Sequence, residues 1–464
     1  MTTGSTRPSR SILRNLALAA GSLAVFLILA EGIATLLLRS DGEPRPGIAD
    51  AATGFRLRGK HTYTEVGGAL VRTNSRGFRE AEIVTPRPPG GPRVLALGDS
   101  STFGYGVSPE ESYPERLEQA LAARLPGRSV EVINAGTPGW SSGNGLGFLV
   151  SEGLSWKPDI VLVSFGYNEQ LGSGPGAPHY DYDARESQLW VHAIGDAQRS
   201  RVAPPVPDDA MPAPRFSDRF RDFPRNVRFY LLLQHGIHLF RQGSERVWGG
   251  LKSSRLASRV LAMAYRREPE LIYRPLRVHV EHNHVLEAYV THLEETVRRC
   301  RQTGAAVIFV LQPRRAYQEL LHLLPAPERE ANLRAATLVE AGKSGEAVAL
   351  LALSHAARPE DAVTTYQLAL ALQLDGQDAR ALALLNQVLS LRPFTMNALM
   401  QQVSIGLGVP IVPTPLSFMG SAREDLFFPD RYHTREAGYA LVVEDIERTL
   451  AEEGMMEGRE AGPE

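Results

Sequence analysis

The sequence predicts an α/β protein built on a parallel sheet, and three short apolar runs carry that prediction. They are residues 94–97 (VLAL), 130–133 (VEVI) and 160–165 (IVLVSF), each of strand length and each followed by glycine and polar turn residues. Between the first two lies 113–125, with Tyr113, Leu117, Leu121 and Leu125 at the i, i+4 spacing of a helix laid on a sheet. Strand, helix, strand, helix, strand in this order reads as parallel α/β. In such sheets function gathers beyond the C-terminal strand ends, where Ser100, Gly139 and Asn168 all fall.

The chain has 464 residues, too many for one ordinary core, so one large domain with insertions or two domains is expected. Apolar content of 43% with 22% charged residues fits a globular protein, and a net charge of −2 gives no sign of a nucleic-acid partner. Cys300 is the only cysteine, which excludes an intramolecular disulfide and a Cys-rich metal centre.

Taken from the start, residues 1–15 carry Arg7, Arg10 and Arg14 and no acid, and are expected in the cytoplasm. The run 16–38 is apolar except for Glu31; as a helix it would span roughly 34 Å, enough for a bilayer. A cleaved signal peptide opens similarly, but its apolar core is shorter and ends in a small-residue cleavage site, which this run lacks. An uncleaved single-pass anchor is therefore expected, with the remainder outside the cytoplasm. Residues 40–90 read as a connector with small strands, including the segment Asn74 to Arg79 (NSRGFR), and end in a stiff PRPPGGP linker at 86–92.

The main domain is expected over 91–325 and resumes over 396–450. It is interrupted first by 171–275, where a Gly/Pro-rich excursion leads into helical segments. Residues 215–267 there hold 12 basic against 3 acidic side chains. A solvated basic face on a helical cap explains this most simply; a lid facing lipid headgroups or an anionic substrate is the functional alternative. From Val285 an amphipathic helix runs to Cys300. His279, His282, His284 and His292 cluster around its start without the spacing of a metal site, so a solvated face is expected and no metal. Residues 306–311 (AVIFVL) form a fourth strand closed by Gln312 and Pro313, and 409–412 a fifth.

Between these two strands the sequence repeats itself. The segment from Gly342 to Pro359 recurs from Gly376 to Pro393 at an offset of 34 residues, with Ala347 matched by Ala381 and Ala335 by Ala369. That is the tetratricopeptide period. Residues 326–395 are therefore expected to form two helical hairpins at the sheet's periphery. Two repeats are short for a partner-binding solenoid, so packing against the host domain is expected as their main role, with a surface for a protein partner as the alternative. A closing helix over 440–450 and a frayed tail over 451–464 complete the chain.

Ser100, following Asp99 at a strand-to-helix junction, sits where free N–H groups and the positive helix end favour developing negative charge on a substrate oxygen. Asp430 and His433, three apart in a loop entering a helix, are spaced so that the carboxylate can orient the imidazole. Gly98-Asp99-Ser100-Ser101, Asn134 to Gly139, Gly166-Tyr167-Asn168-Glu169 and Asp430-Arg431-Tyr432-His433 together resemble the four blocks of the SGNH (GDSL-type) hydrolase family. The resemblance covers roughly 91–170, 305–313 and 409–450. It implies a flavodoxin-like three-layer α/β/α fold, with Ser100 as nucleophile, His433 as base and Asp430 as orienter. Oxyanion donors would be the Ser100 N–H, the Gly139 N–H and the Asn168 amide. Glu169 departs from the family, which usually has Asp there, and the helical repeat is absent from the minimal fold. The anchor and the Asn74 to Arg79 segment look like those of membrane-anchored bacterial members.

The activity so implied is ester hydrolysis through an acyl-enzyme, without a cofactor, on a cell-envelope lipid or O-acylated glycan. Transfer of the acyl group to a second alcohol is the alternative chemistry. An envelope scaffold that uses the repeats for docking is the alternative of another class.

Overall fold

The computed structural model describes residues 47–64, 70–85, 87, 90–169, 280, 283–391, 393–421, 425–427 and 433–455. The expected anchor at 16–38, the cap at 171–275, His279, His282 and Asp430 lie outside the described residues. Among those described, no helix is long and apolar enough to cross a membrane.

Two small antiparallel ribbons make up the connector. Strand β1 (Gly47–Asp50) pairs with β2 (Gly54–Leu57), and β3 (Thr62–Thr64) pairs with β4 (Leu70–Arg72). The central sheet follows, with strands β5 (Arg93–Gly98), β6 (Glu131–Gly136), β7 (Ile160–Ser164), β8 (Ala306–Val310) and β9 (Ile411–Val412). Its order is β6-β5-β7-β8-β9, and every neighbouring pair is parallel. This is the doubly wound order in which the chain leaves β5 in one direction and later returns to its other side. In sheets of this order ligands bind where the direction reverses, here between β5 and β7.

Alternation along the strands divides the core into two layers. Val94, Ala96, Ile160 and Leu162 face one side with helices α2 (Tyr113–Arg124) and α12 (Glu436–Glu452). Leu95, Leu97, Val161 and Val163 face the other with α3 (Ser142–Ser151) and α4 (His284–Thr303). Beyond the end of β5 a single turn of helix, α1 (Ser100–Phe103), is held close to the end of β6. A Cβ on Gly136 would lie 2.2 Å from the Phe103 nitrogen, so only glycine permits that approach.

After β8 come α5 (Arg315–His322), then α6 (Ala326–Glu340), α7 (Ser344–Ala357), α8 (Ala362–Leu374), α9 (Asp378–Val388) and α10 (Thr395–Leu407), and after β9 comes α11 (Thr414–Gly420). Helices α6 to α9 pack in sequence as antiparallel neighbours, as short connections require. They also meet α5 and α10. Helix α8 is buried on all sides from Val363 to Leu372, and its apolar side chains are continuous with the core beneath one face of the sheet. A helix that is apolar all round must be enclosed by others, and α8 is enclosed chiefly by its repeat neighbours α7 and α9, with Tyr317 of α5 and Gln401 of α10 against Tyr366. Clean excision of 328–393 would therefore open that core.

Candidate active site

The turn after β5 is shaped by its own sequence. Asp99 is the N-cap of α1, its Oδ1 accepting from the Ser101 N–H at 2.8 Å, and Gly104 ends the turn in the left-handed region. Ser100 is thereby fixed at the first helical position and is 3% exposed. His433, 4% exposed and 333 residues further on, places Nε2 at 2.9 Å from Ser100 Oγ. The Tyr105 ring packs on the imidazole with centroids 4.5 Å apart. From α12, the Tyr439 hydroxyl donates to the Ser101 carbonyl at 2.9 Å, fastening the histidine's helix to the serine's turn.

The loop after β6 carries Gly139 in the left-handed region, at φ +84°. The Thr137 N–H donates to the Gly98 carbonyl at 3.1 Å, and Asn134 Oδ1 accepts from the Gly136 N–H at 3.0 Å. Asn168, beyond β7, donates from Nδ2 to the Trp140 carbonyl at 2.9 Å, which ties the β7 loop to the one bearing Gly139. One amide hydrogen of Nδ2 remains for another acceptor. Ser100 and His433 are thus brought together directly, and Asn168 joins the Gly139 loop; Asp430 is outside the described residues.

Several supporting residues had no local signal in the sequence. Arg79, in the connector, is buried over the Phe103 ring and donates to the Gly104 carbonyl at 2.6 Å and to the Val107 carbonyl. It neutralises the carbonyl end of α1 as a cation there should. Glu80 Oε2 accepts from the Asn134 N–H at 3.0 Å. Gln312, which in the sequence only closes a strand, donates from Nε2 to Asp99 Oδ2 at 2.8 Å. His292 is not on a solvated face: it is half-buried, its Nδ1 3.0 Å from Ser142 Oγ. Glu169 Oε1 accepts from the Ser142 N–H at 2.6 Å, so the residue that departs from the family pattern anchors the start of α3. All these contacts join segments far apart in the chain.

Burial dominates the electrostatics. It raises the Asp99 carboxyl, opposed by the Gln312 amide, the Ser101 N–H and the charge of His433. It pushes Glu80 and Glu169 up to about 7 against the hydrogen bonds from Asn134 and Ser142 respectively. Asp445, on the buried face of α12, also reaches about 7, because burial outweighs the pull of Arg448. In the unfolded chain these carboxyls ionise at 3.8 to 4.5, so between there and about 7 the folded state holds protons that the unfolded state has released. Their contribution to stability is therefore fullest at the acid side and falls as pH rises to about 7. The melting temperature is expected to drop by roughly 5 °C across that window. Glu169→Gln and Asp445→Asn should each shrink the drop when Tm is followed against pH; an unchanged drop in both would refute the assignment.

Part of the chain is similar to known proteins. Residues 96–235 match the GDSL-like Lipase/Acylhydrolase family. An arylesterase of Vibrio mimicus is 39% identical over 83 residues, which are 18% of this chain and 40% of that protein. The chain thus matches well under half the length of this curated relative. Among solved structures, a lipase/acylhydrolase from Enterococcus faecalis aligns over 80% of this chain and 100% of its own, at 14% identity and a TM-score of 0.34. An acetylxylan esterase from Geobacillus stearothermophilus aligns over 78% of this chain and 94% of its own, at 10% identity and a TM-score of 0.34. The family match begins within β5, two residues before the glycine that precedes Asp99 and Ser100, and its span takes in Gly139 and Asn168.

Proposed function

We propose that this protein is a serine ester hydrolase with Ser100 as nucleophile and His433 as base. The observation that carries the reading is the 2.9 Å approach of His433 Nε2 to Ser100 Oγ, within the reach a general base requires. In the first step Oγ attacks the ester carbonyl carbon as its proton passes to Nε2. The carbonyl electron pair moves onto oxygen, where the Ser100 N–H, the Gly139 N–H and the free Asn168 amide hydrogen stabilise it. Collapse of this intermediate breaks the bond to the alcohol oxygen, which takes the proton from the imidazole. Water then attacks the acyl-serine, gives its proton to Nε2, and the acid departs as Ser100 recovers its hydrogen. Asp430 would orient His433 in this scheme, at the Asp-x-x-His spacing.

The substrate class we favour is an envelope lipid or an O-acylated glycan, on the strength of the apolar run at 16–38, which would anchor the chain with its catalytic domain outside the cytoplasm. The 34-residue repeat favours a tetratricopeptide-like insert. Full-length protein treated with a fluorophosphonate probe is expected to gain one adduct, on the peptide containing Ser100. Among p-nitrophenyl esters of increasing chain length at least one should be hydrolysed. No adduct and no turnover would sink the reading; turnover only in the presence of an acceptor alcohol would convert it to acyl transfer. For topology, a reporter that works only in the cytoplasm, fused after residue 464, is expected to be silent, and an active fusion would overturn the anchored orientation.

A further inference from the structure

We propose that the helical insert braces the serine-bearing turn through a buried polar chain centred on Gln312 and Asn397, making these two positioning residues for the reaction. The inference rests on the reading of Ser100 as nucleophile. It begins at Asp99, which has one carboxylate oxygen on the Ser101 N–H and the other on Gln312 Nε2. Gln312 is 1% exposed. A buried amide costs stability unless it is partnered, and a bond to a carboxylate is among the stronger ones available. Its other flank meets the β7 loop: Gly166 has φ +145°, and a Cβ there would lie 3.1 Å from Gln312 Oε1. Gln312 therefore stands between the turn that carries Ser100 and the loop that carries Asn168.

What holds Gln312 is Asn397, on α10. The sheet does not do so: β8 ends at Val310 and β9 at Val412, whose carbonyl takes the Leu311 N–H at 3.2 Å, so Gln312 lies past the ladder. Asn397 satisfies both backbone groups of Gln312 instead. Its Oδ1 accepts from the Gln312 N–H at 3.2 Å, and its Nδ2 donates to the Gln312 carbonyl at 2.8 Å. The same Nδ2 donates to the Tyr317 hydroxyl at 3.0 Å, which itself donates to the Pro393 carbonyl at 2.8 Å.

From Tyr317 the chain enters the insert. Its ring stacks on Phe394 with centroids 5.1 Å apart and planes at 8°, and packs against Tyr366 at 5.3 Å. Tyr366 belongs to α8, the enclosed helix, and its hydroxyl accepts from Gln401 Nε2 at 3.1 Å. An apolar filler would occupy the same space at less cost in desolvation. The polar groups instead fix direction, and direction is what a nucleophile's turn needs: a displacement of about 1 Å costs on the order of 10²-fold in rate.

The test uses the full chain carrying Gln312→Leu, Asn397→Leu or Tyr366→Leu. Two readouts are taken: the rate of fluorophosphonate labelling, and hydrogen exchange of the peptide spanning 99–104. Gln312→Leu is expected to slow labelling by about 10- to 100-fold, with kcat reduced and KM unchanged. Exchange at 99–104 should quicken in all three, most at Gln312 and least at Tyr366. Gln312→Glu separates positioning from packing, since a protonated glutamic acid can donate to Asp99 and an ionised one repels it. Its activity relative to wild type should recover as pH falls, and it supplies the answer if the leucine variants do not fold. Wild-type exchange at 99–104 in every folded variant, or a Gln312→Glu activity ratio flat across pH, would overturn the brace. If the wild type itself takes no label, the nucleophile reading fails while the exchange data still decide whether the insert holds the turn.

Discussion

Ser100→Ala is expected to lower ester hydrolysis on the order of 10⁴-fold or more and to abolish fluorophosphonate labelling. Covalent chemistry needs an oxygen within reach of the base, and Ser100 Oγ is the one 2.9 Å from His433 Nε2. Ser101 is adjacent, but its N–H is spent on Asp99 and its carbonyl on Tyr439, which holds that residue to its own place in the turn. His433→Ala should cost nearly as much, and the double variant hardly more than either single one, because serine and histidine act on the same proton. Removing one small buried oxygen should leave Tm almost unchanged, so the loss can be read as chemistry. Activity retained in Ser100→Ala on every ester tested, with loss in Glu169→Gln, would move the chemistry to a carboxylate base.

The second large effect is expected at Asn168. On the proposed mechanism Asn168→Ala removes one donor to the oxyanion, worth roughly 10²–10³ in kcat, while the nucleophile and base remain. Labelling should persist at a reduced rate, and KM should change little because the donor matters most when charge has developed on the carbonyl oxygen. The same amide also donates to the Trp140 carbonyl, so a stability cost of about 1 kcal/mol should accompany the kinetic one. Asn168→Asp is the sharper variant. A carboxylate at that position offers an acceptor where the oxyanion needs a donor, and activity should fall below that of the alanine variant. Equal kcat in wild type and both variants would remove Asn168 from the site.

These contacts change how the helical insert is to be regarded. The repeat period suggests a separable module, yet Tyr366 of α8 packs on Tyr317, and Tyr317 is joined by Asn397 to the strand end that holds Gln312. A module that shares its apolar core with the sheet is set by the same cooperative packing as the site. Ligands or partners that moved α8 would act on Asp99 through contacts already made.

What the sequence determined by itself is local. The apolar runs at 94–97 and 160–165 are β5 and β7 to within a residue at each end, because a strand buried on both faces must be apolar throughout. The run at 130–133 covers only the first half of β6, which continues through Asn134 to Gly136. The i, i+4 spacing from Tyr113 is α2, and Gly304 stops α4 where its left-handed conformation is needed. The Gly-Asp-Ser turn and the loop glycines were legible for the same reason: caps and positive φ are dictated by residues in immediate sequence. Tertiary structure alone decided what those turns touch. Nothing near position 312 in the chain announces that its amide reaches Asp99, and nothing near position 79 announces that its guanidinium closes the end of α1. His292 looked solvated from its helix, yet Ser142, 150 residues away, lies against it. Which face of the insert meets the host domain is equally silent in the sequence, since a repeat's period describes only its internal stacking. Side-chain hydrogen bonds across long separations depend on the register of whole elements, and that register is settled only when both layers pack on the sheet.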